Sequence, residues 1–322
     1  MLNNIGVVGL GFVGNAVADF LRGRCKTVVG YDISEEACLK ATVPASTARS
    51  ILSSVDALVI CLPTSSNEHS RLDTLNIERF MEDVPEDVVV IVKSTVPVGF
   101  TSSLNRPRTV FCPEFLTEEY AAHDIRHPSR VVVGGEHKLA EEVAELFQVG
   151  RARVIITTTD EAEAIKLFSN AYLAMRVAFF NEIDSTALIN DMDTTQIIRG
   201  VCADPRIGEG YNRPSFGFGG YCLPKDTEEL YRFTEFPLLE GALNSNFQRT
   251  EILASHILGL GYKTYGVNWE EEGRYSATSG LAKLLYNHGM LEVSLENAEI
   301  VLSDKGTSTS AKMYTRRPKT SP

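Results

Sequence analysis

The sequence predicts an α/β protein with three parts: an N-terminal doubly wound, mainly parallel sheet, a central region dominated by one long helix, and a shortened C-terminal α/β segment. Three observations carry the prediction. Over residues 1–160, short apolar runs of strand length alternate with helical stretches, as in a parallel sheet covered on both faces. From about Glu161 the apolar residues recur at three- and four-residue intervals, the period of a helix. Beyond about residue 250 strand signals return, over a stretch too short for a second full doubly wound sheet. The expected domains are therefore 1–160, 161–250 and 251–322.

In chain order, Ile5–Gly9, Thr27–Tyr31, Ala57–Cys61, Val88–Val92, Thr109–Cys112 and Arg130–Gly134 read as strands, with Val154–Thr157 as a further one. They are rich in valine and isoleucine and mostly lack alternation, because a strand with helices on both faces buries every side chain. Val13–Leu21, Ile77–Met81 and His137–Phe147 read as helices between them. Ile165, Phe168, Tyr172, Met175, Phe179 and Ile183 then mark the apolar stripe of one long amphipathic helix. The region to about 250 stays helical except for the glycine- and proline-bearing loop Asp204–Cys222. Tyr265–Trp269 and Ala298–Leu302 read as strands and Ser276–His288 as a helix, and from Lys305 a Ser/Thr/Lys/Arg/Pro-rich tail is expected to fray.

Composition narrows the function classes. The chain has 322 residues, 43% of them hydrophobic, and a formal charge of −11, which fits packed cores and argues against nucleic-acid or membrane-surface partners. No apolar run approaches the roughly 18 residues of a bilayer span. Six cysteines without a CxxC pair form neither a disulfide framework nor a zinc site, so a reduced, cytoplasmic protein without metal is expected.

Three segments carry chemistry. Gly9, Gly11 and Gly14 have the G-x-G-x-x-G spacing, with Phe12 and Val13 between the last two, and they link the first strand to the first helix. In that context the first glycine allows a tight turn, the second lets backbone approach a pyrophosphate, and the third lets the helix pack on the strand. Asp32 ends the second strand, where a carboxylate accepts from ribose hydroxyls and repels a 2′-phosphate. A Rossmann-like domain that binds NAD rather than NADP is expected.

The second segment runs from Tyr211 through a glycine-rich loop to Cys222, Lys225 and Asp226. A thiol at a helix start beside a lysine is a candidate nucleophile, and a carboxylate one turn on can orient it or a water. A lone cysteine is more often a small buried hydrophobe, but this loop argues otherwise. Lys166 and Asn170, at i and i+4 on the long helix, can donate to a developing oxyanion, although such a pair alone is usually a solvated face.

Taken together, these segments resemble the UDP-glucose/GDP-mannose dehydrogenase family of nucleotide-sugar 6-dehydrogenases. The likeness runs from Ile5 to about Leu285. It rests on Gly9–Gly14, Cys61-Leu-Pro-Thr64, Ser94-Thr95-Val-Pro97-Val-Gly99, Pro113-Glu114-Phe-Leu-Thr-Glu118 and Pro128-Ser-Arg130. It continues through Lys166-x-x-x-Asn170, Phe180-Asn181-Glu182, Asp204-Pro-Arg206-Ile-Gly and Phe216–Asp226.

The resemblance implies a four-electron oxidation of a primary alcohol to a carboxylate with two NAD+ in succession. It makes Cys222 the nucleophile of a thiohemiacetal and then a thioester, and gives Lys166 and Asn170 to the oxyanion. It gives Asp226 to the cysteine and the hydrolytic water, and places Glu118 and Thr95 at the water and nicotinamide. Glu114, with Phe115 and Leu116, falls on the substrate side. Thr64, Lys225 and Arg274 match cofactor contacts, with simple turn chemistry an equal reading for Thr64. Tyr211, Ser215 and Gly219 match the loop around the sugar, and Ser215 and Gly219 are open to the same turn reading. Arg206 matches an arginine that completes a partner subunit's site, which implies a homodimer.

The C-terminal region departs from the family pattern. The phenylalanine-lysine pair after its strand is missing, Glu270–Glu272 stand near its place, and a strand and loop after His288 are expected to be absent. Thr117 replaces a common arginine. UDP-glucose is the first-choice substrate. Pro-Glu-Phe-Leu also suits GDP-mannose, whereas a UDP-N-acetyl-mannosamine enzyme would carry arginine where Phe115 stands. The alternatives are a β-hydroxyacid dehydrogenase, which needs no thiol, and an NAD- or nucleotide-sugar-binding protein without turnover.

Overall fold

The computed structural model describes residues 2–67, 70–117, 120–269, 276–303 and 314–316. It divides into two compact units, Met1–Phe168 and Ser169–Pro322.

The first unit is a sheet of eight strands. Its strands are β1 (Asn4–Val8), β2 (Thr27–Tyr31), β3 (Ala45–Ser46), β4 (Ala57–Ile60), β5 (Val89–Val92), β6 (Thr109–Phe111), β7 (Arg130–Gly134) and β8 (Arg153–Thr157). Their order is β3-β2-β1-β4-β5-β6-β7-β8. Every pairing is parallel except β6 with β7. Between those two strands the described helix is the four-residue α5 (Ala121–Asp124), too short for a right-handed crossover, so β7 returns in the opposite sense.

The strands show why alternation is missing from the sequence. Val7, Val59, Ile91 and Val133 enter one core with α1 (Phe12–Arg22) and α6 (His137–Phe147). Val8, Ile60, Val90, Val92 and Val132 enter a second core on the opposite face with α3 (Leu75–Met81). Successive residues point to opposite faces, and both faces are covered. Smaller elements not foreseen from the sequence are β3, α2 (Glu35–Lys40) and α4 (Phe100–Ser103).

Helix α7 (Thr159–Ile189) has no interior glycine or proline over its 31 residues. The expected helix is there, but its apolar stripe is not its buried face. Phe168, Tyr172 and Phe179 are 44%, 59% and 57% exposed, whereas Ala162, Lys166, Asn170, Ala171, Ala174, Ala178, Asn181 and Asp184 are buried. Small residues let neighbouring elements approach closely, and polar groups among them find partners, so the buried face follows the alanines, with Leu167 and Phe180 beside them, rather than the expected stripe.

In the second unit, α7 is followed by α8 (Thr194–Cys202), α9 (Leu223–Thr234) and α10 (Pro237–Gly259). A four-stranded sheet then follows, in the order β10-β9-β11-β12. Its strands are β9 (Thr264–Val267), β10 (Leu291–Glu292), β11 (Ile300–Leu302) and β12 (Tyr314–Arg316), with α11 (Ala277–Asn287) between the first two. Leu253, Ile257, Tyr265, Leu281, Leu285 and Ile300 form their core. The tail expected to fray from Lys305 contains β12, which pairs antiparallel with β11 and satisfies that strand's open edge. Among the described residues no helix is long and apolar enough to cross a membrane.

Candidate active site

In the first unit, the glycine motif forms the turn from β1 into α1. Gly9 has φ +86°, and a Cβ there would lie 2.7 Å from the Cys61 carbonyl oxygen. A Cβ on Gly14 would collide with the Gly9 carbonyl oxygen at 1.8 Å, which is the close helix–strand packing the motif predicts. Gly11 differs. It caps α1, and a Cβ on it would meet no atom within 4 Å. Packing therefore explains Gly9 and Gly14 but not Gly11, whose open space suits an approaching pyrophosphate.

The rest of the turn fits the same group. The first turn of α1 carries no acidic residue and its cap makes no side-chain hydrogen bond, so its amides face outward as an anion site. Phe12 is exposed and Val13 packs against the core. Asp32 accepts the Leu10 amide at 2.7 Å and the Ser34 amide at 2.8 Å, which fixes its carboxylate beside the turn with acceptor capacity left for ribose. The chain runs outward from β1 to β2 on one side and to β4 on the other, and ligands of open α/β sheets bind at such a reversal.

The C-terminal ends of β4 and β5 are laced together beside that reversal. The buried Thr64 hydroxyl donates to the Thr95 carbonyl at 2.7 Å, and the Ser94 hydroxyl donates to the Leu62 carbonyl at 2.7 Å. Thr64 thus acts here as a turn fastener, and Thr95 lies buried in the turn after β5 that it fastens.

Lys166 is 2% exposed and donates to the Glu114 carbonyl at 2.7 Å and to its carboxylate at 2.9 Å. The other carboxylate oxygen accepts the Leu116 amide at 2.6 Å. Burial by itself would raise the Glu114 carboxyl, but the Lys166 charge and these hydrogen bonds outweigh it and hold the group below the ordinary glutamate value. Phe115 lies under the Arg130 guanidinium at 3.8 Å, a cation–π contact. Lys93, Glu114, Phe115, His127 and Arg130 border a cavity of about 250 Å³. Glu118 lies outside the described residues, as does Arg274.

In the second unit, the loop before α9 ends at Cys222, a partly exposed thiol in the cap position of that helix. Pro224 at the start of α9 suits a first turn whose amides need no partner inside the helix. One turn on, Asp226 is fully buried. Its two oxygens accept from Asn170 at 2.6 Å and from the Lys225 ammonium at 2.7 Å. The structure thus joins Asn170, Lys225 and Asp226 into one buried cluster. Lys225, expected at the cofactor, here serves as the counter-charge of Asp226.

The loop residues are arranged by partners for which no role is expected from the sequence. Ser215 donates its amide to Asn181 at 2.7 Å, and its carbonyl accepts from Arg249 at 3.0 Å. Arg249 is 2% exposed, paired with Asp184 and hydrogen-bonded to Ser185 at 2.9 Å. Asn246 accepts the Phe218 amide at 2.6 Å, and a Cβ on Gly217 would strike that same side chain at 2.7 Å. Arg249 sits in the mostly polar run Asn244–Glu251 of α10, so no local pattern in the sequence marks it. Gly219 follows Phe218, Tyr211 is exposed with φ +57°, and Arg206 is highly exposed, bound to Asp204 at 2.5 Å. Among the described residues no cluster of three or more His, Cys, Asp or Glu is placed to hold a metal.

Residues 37–149 match the NAD binding domain of the UDP-glucose/GDP-mannose dehydrogenase family, and residues 160–247 match its central domain. A UDP-glucose 6-dehydrogenase of Campylobacter jejuni is 41% identical over 218 residues, covering 63% of this chain and 56% of that protein. One from Streptococcus pneumoniae is 36% identical over 262 residues, covering 73% of this chain and 66% of that protein. The chain thus spans between about half and two-thirds of the length of these relatives. Among solved structures, a UDP-glucose dehydrogenase from Pyrobaculum islandicum superposes with a TM-score of 0.78 at 26% identity, over 91% of this chain and 81% of that one.

Proposed function

The chain belongs to the UDP-glucose/GDP-mannose dehydrogenase family, and from that membership we propose that it oxidises the primary alcohol of a nucleotide sugar to a carboxylate, with UDP-glucose as first-choice substrate. The observation that carries the reading is the arrangement on α9: a partly exposed thiol at the helix start, one turn before a buried carboxylate gripped by Asn170 and Lys225. A single-step hydroxyacid dehydrogenase has no use for that thiol.

Bound NAD would supply the hydride acceptor, once for the alcohol, whose hydroxyl proton passes to water, and once for the thiohemiacetal. The turn at Gly9–Gly14 and Asp32 would hold it. The Cys222 sulfur adds to the aldehyde carbon left by the first oxidation, and the thiol proton passes to the surroundings. Lys166 and Asn170 donate to the oxygen as it gains charge. After the second oxidation the carbon is a thioester. Water adds to it with Asp226 accepting a proton, the carbon–sulfur bond breaks, and the thiol is restored. Glu114 orients the Lys166 side chain.

Phe168, Tyr172 and Phe179, exposed at helical spacing on α7, support a homodimer seated on this stripe, with Arg206 offered to the partner's site. Six cysteines, none joined in a disulfide, suit a cytoplasmic setting.

The decisive experiment is NADH formed per sugar consumed, with UDP-glucose, GDP-mannose and UDP-N-acetyl-mannosamine offered in parallel. Two equivalents with one of them are expected. One equivalent would point to a single-step dehydrogenase, and none, with NAD still bound, to a binding protein.

A further inference from the structure

A carboxylate outside the reaction scheme stands out in the first unit. Glu163 on α7 has no exposed surface. One of its oxygens accepts the Gly99 amide at 2.6 Å and the other the Thr101 amide at 2.8 Å. The Gly99 amide ends the turn Ser94–Gly99, which leaves β5 with Thr95, and the Thr101 amide lies in the first turn of α4, into which that turn runs. Gly99 takes φ +89°, a left-handed backbone that L side chains rarely adopt, although a Cβ there would meet no atom within 4 Å. The glycine is thus required by conformation and not by crowding, and the carboxylate holds that conformation from outside. The other end of the turn is fastened by Thr64 on the Thr95 carbonyl.

We propose that Glu163 is a positioning residue for the cofactor-side turn: its bidentate grip on Gly99 and Thr101 sets the place of Thr95 and fixes that turn to the helix that bears Lys166. Glu163 precedes Lys166 by three residues on α7, so one helix face both anchors the turn and presents the lysine. A carboxylate is the group this task requires. It offers acceptors only, whereas an amide side chain would turn a donor towards one of the two N–H groups. Burial raises the carboxyl against the pull of the two amides, with Asp160 adding to the rise, which is the cost of holding an acceptor-only group where no water reaches. The inference rests on the NAD reading of this unit.

The test is direct titration of the full chain with NAD, followed by calorimetry, for the wild type, Glu163→Gln, Gly99→Ala and the double variant. Amide hydrogen exchange across residues 95–101 is followed in parallel. Loss of one grip is expected to weaken NAD about tenfold in Glu163→Gln. Exchange at 99–101 is expected to accelerate, and KM for the sugar to stay unchanged. Gly99→Ala strains the same turn from its other side, so it should weaken NAD in the same sense, and the double variant should lose little more than the worse single one. A merely structural glutamate would lower the melting temperature and the active fraction but leave NAD affinity in the folded protein where it was, and that result overturns the proposal. If Glu163→Gln does not fold, unchanged affinity in Gly99→Ala overturns it alone. A wild type that binds NAD but oxidises no sugar defeats the proposed reaction while leaving this test intact, and one that does not bind NAD defeats both.

Discussion

The two compact units hold their chemical groups in place by different means. In the first, position around the cofactor turn is set by the backbone, with a glycine turn with one opening, strand ends laced by threonine and serine hydroxyls, and a carboxylate gripping amides, while the buried Lys166–Glu114 pair is its exception. In the second, it is set by buried charge, with Asp226 between Asn170 and Lys225 and with Arg249 on Asp184. Backbone devices leave their mark in short runs of sequence, because glycine has few substitutes at positive φ. Charge pairs join residues far apart in the chain, and nothing local announces them.

The contrast can be broken at several points. The largest effect is expected from Cys222→Ser: conversion to the acid should fall about a thousandfold or more, while NAD binding, a property of the other unit, survives. Near-normal acid production would remove the covalent route. Asp226→Asn should next cost about 3–5 kcal/mol, because it leaves the buried Lys225 ammonium without its carboxylate. Calorimetry would show this as a lowered melting temperature, and adding Lys225→Met should restore part of it. An unchanged melting temperature would mean that buried charge does not organise the second unit.

In the first unit the glycines should separate. Gly14→Ala, with its Cβ driven into a carbonyl, is expected to destabilise by about 3 kcal/mol or more. Gly11→Ala should change stability by about 1 kcal/mol or less and weaken NAD about tenfold. Equal losses of stability would show that Gly11 serves packing after all.

The smallest effect concerns acid. Because Glu114 is held below its ordinary value, its ion pair with Lys166 stabilises the fold above the usual carboxylate range, and that contribution is lost as pH falls through the lowered value. Melting temperature followed downwards from neutral pH should drop less steeply in Glu114→Gln than in the wild type.

Most of the first unit was legible in the sequence. The strand runs, the glycine turn and Asp32 at the end of β2 all rest on residues close together in the chain. Helix α7 was legible as a helix but not in its orientation, because a periodic apolar stripe reports which face could be buried and not which is. Alanines at 162, 171, 174 and 178 decided the matter, and they are weak in any hydrophobic count. The two-residue strand β3 is too short to leave a run, and the reversal at β7 depends on the length of a connection rather than on its composition. Of the site, Cys222 and Asp226 were visible through their loop, whereas Arg249 and its hold on Ser215 required the fold.

The burial of Asp226 also bears on how such a chain could change over generations. A residue whose loss costs the fold several kcal/mol is kept by selection for folding alone, whatever becomes of the reaction. Its presence is therefore weak testimony that turnover continues. Cys222, a partly exposed thiol that serine can replace at little volume change, is under a different constraint. A lineage that ceased to oxidise sugars would shed the thiol early and keep the aspartate long afterwards, so the sulfur is the residue by which working descendants would be told from relics.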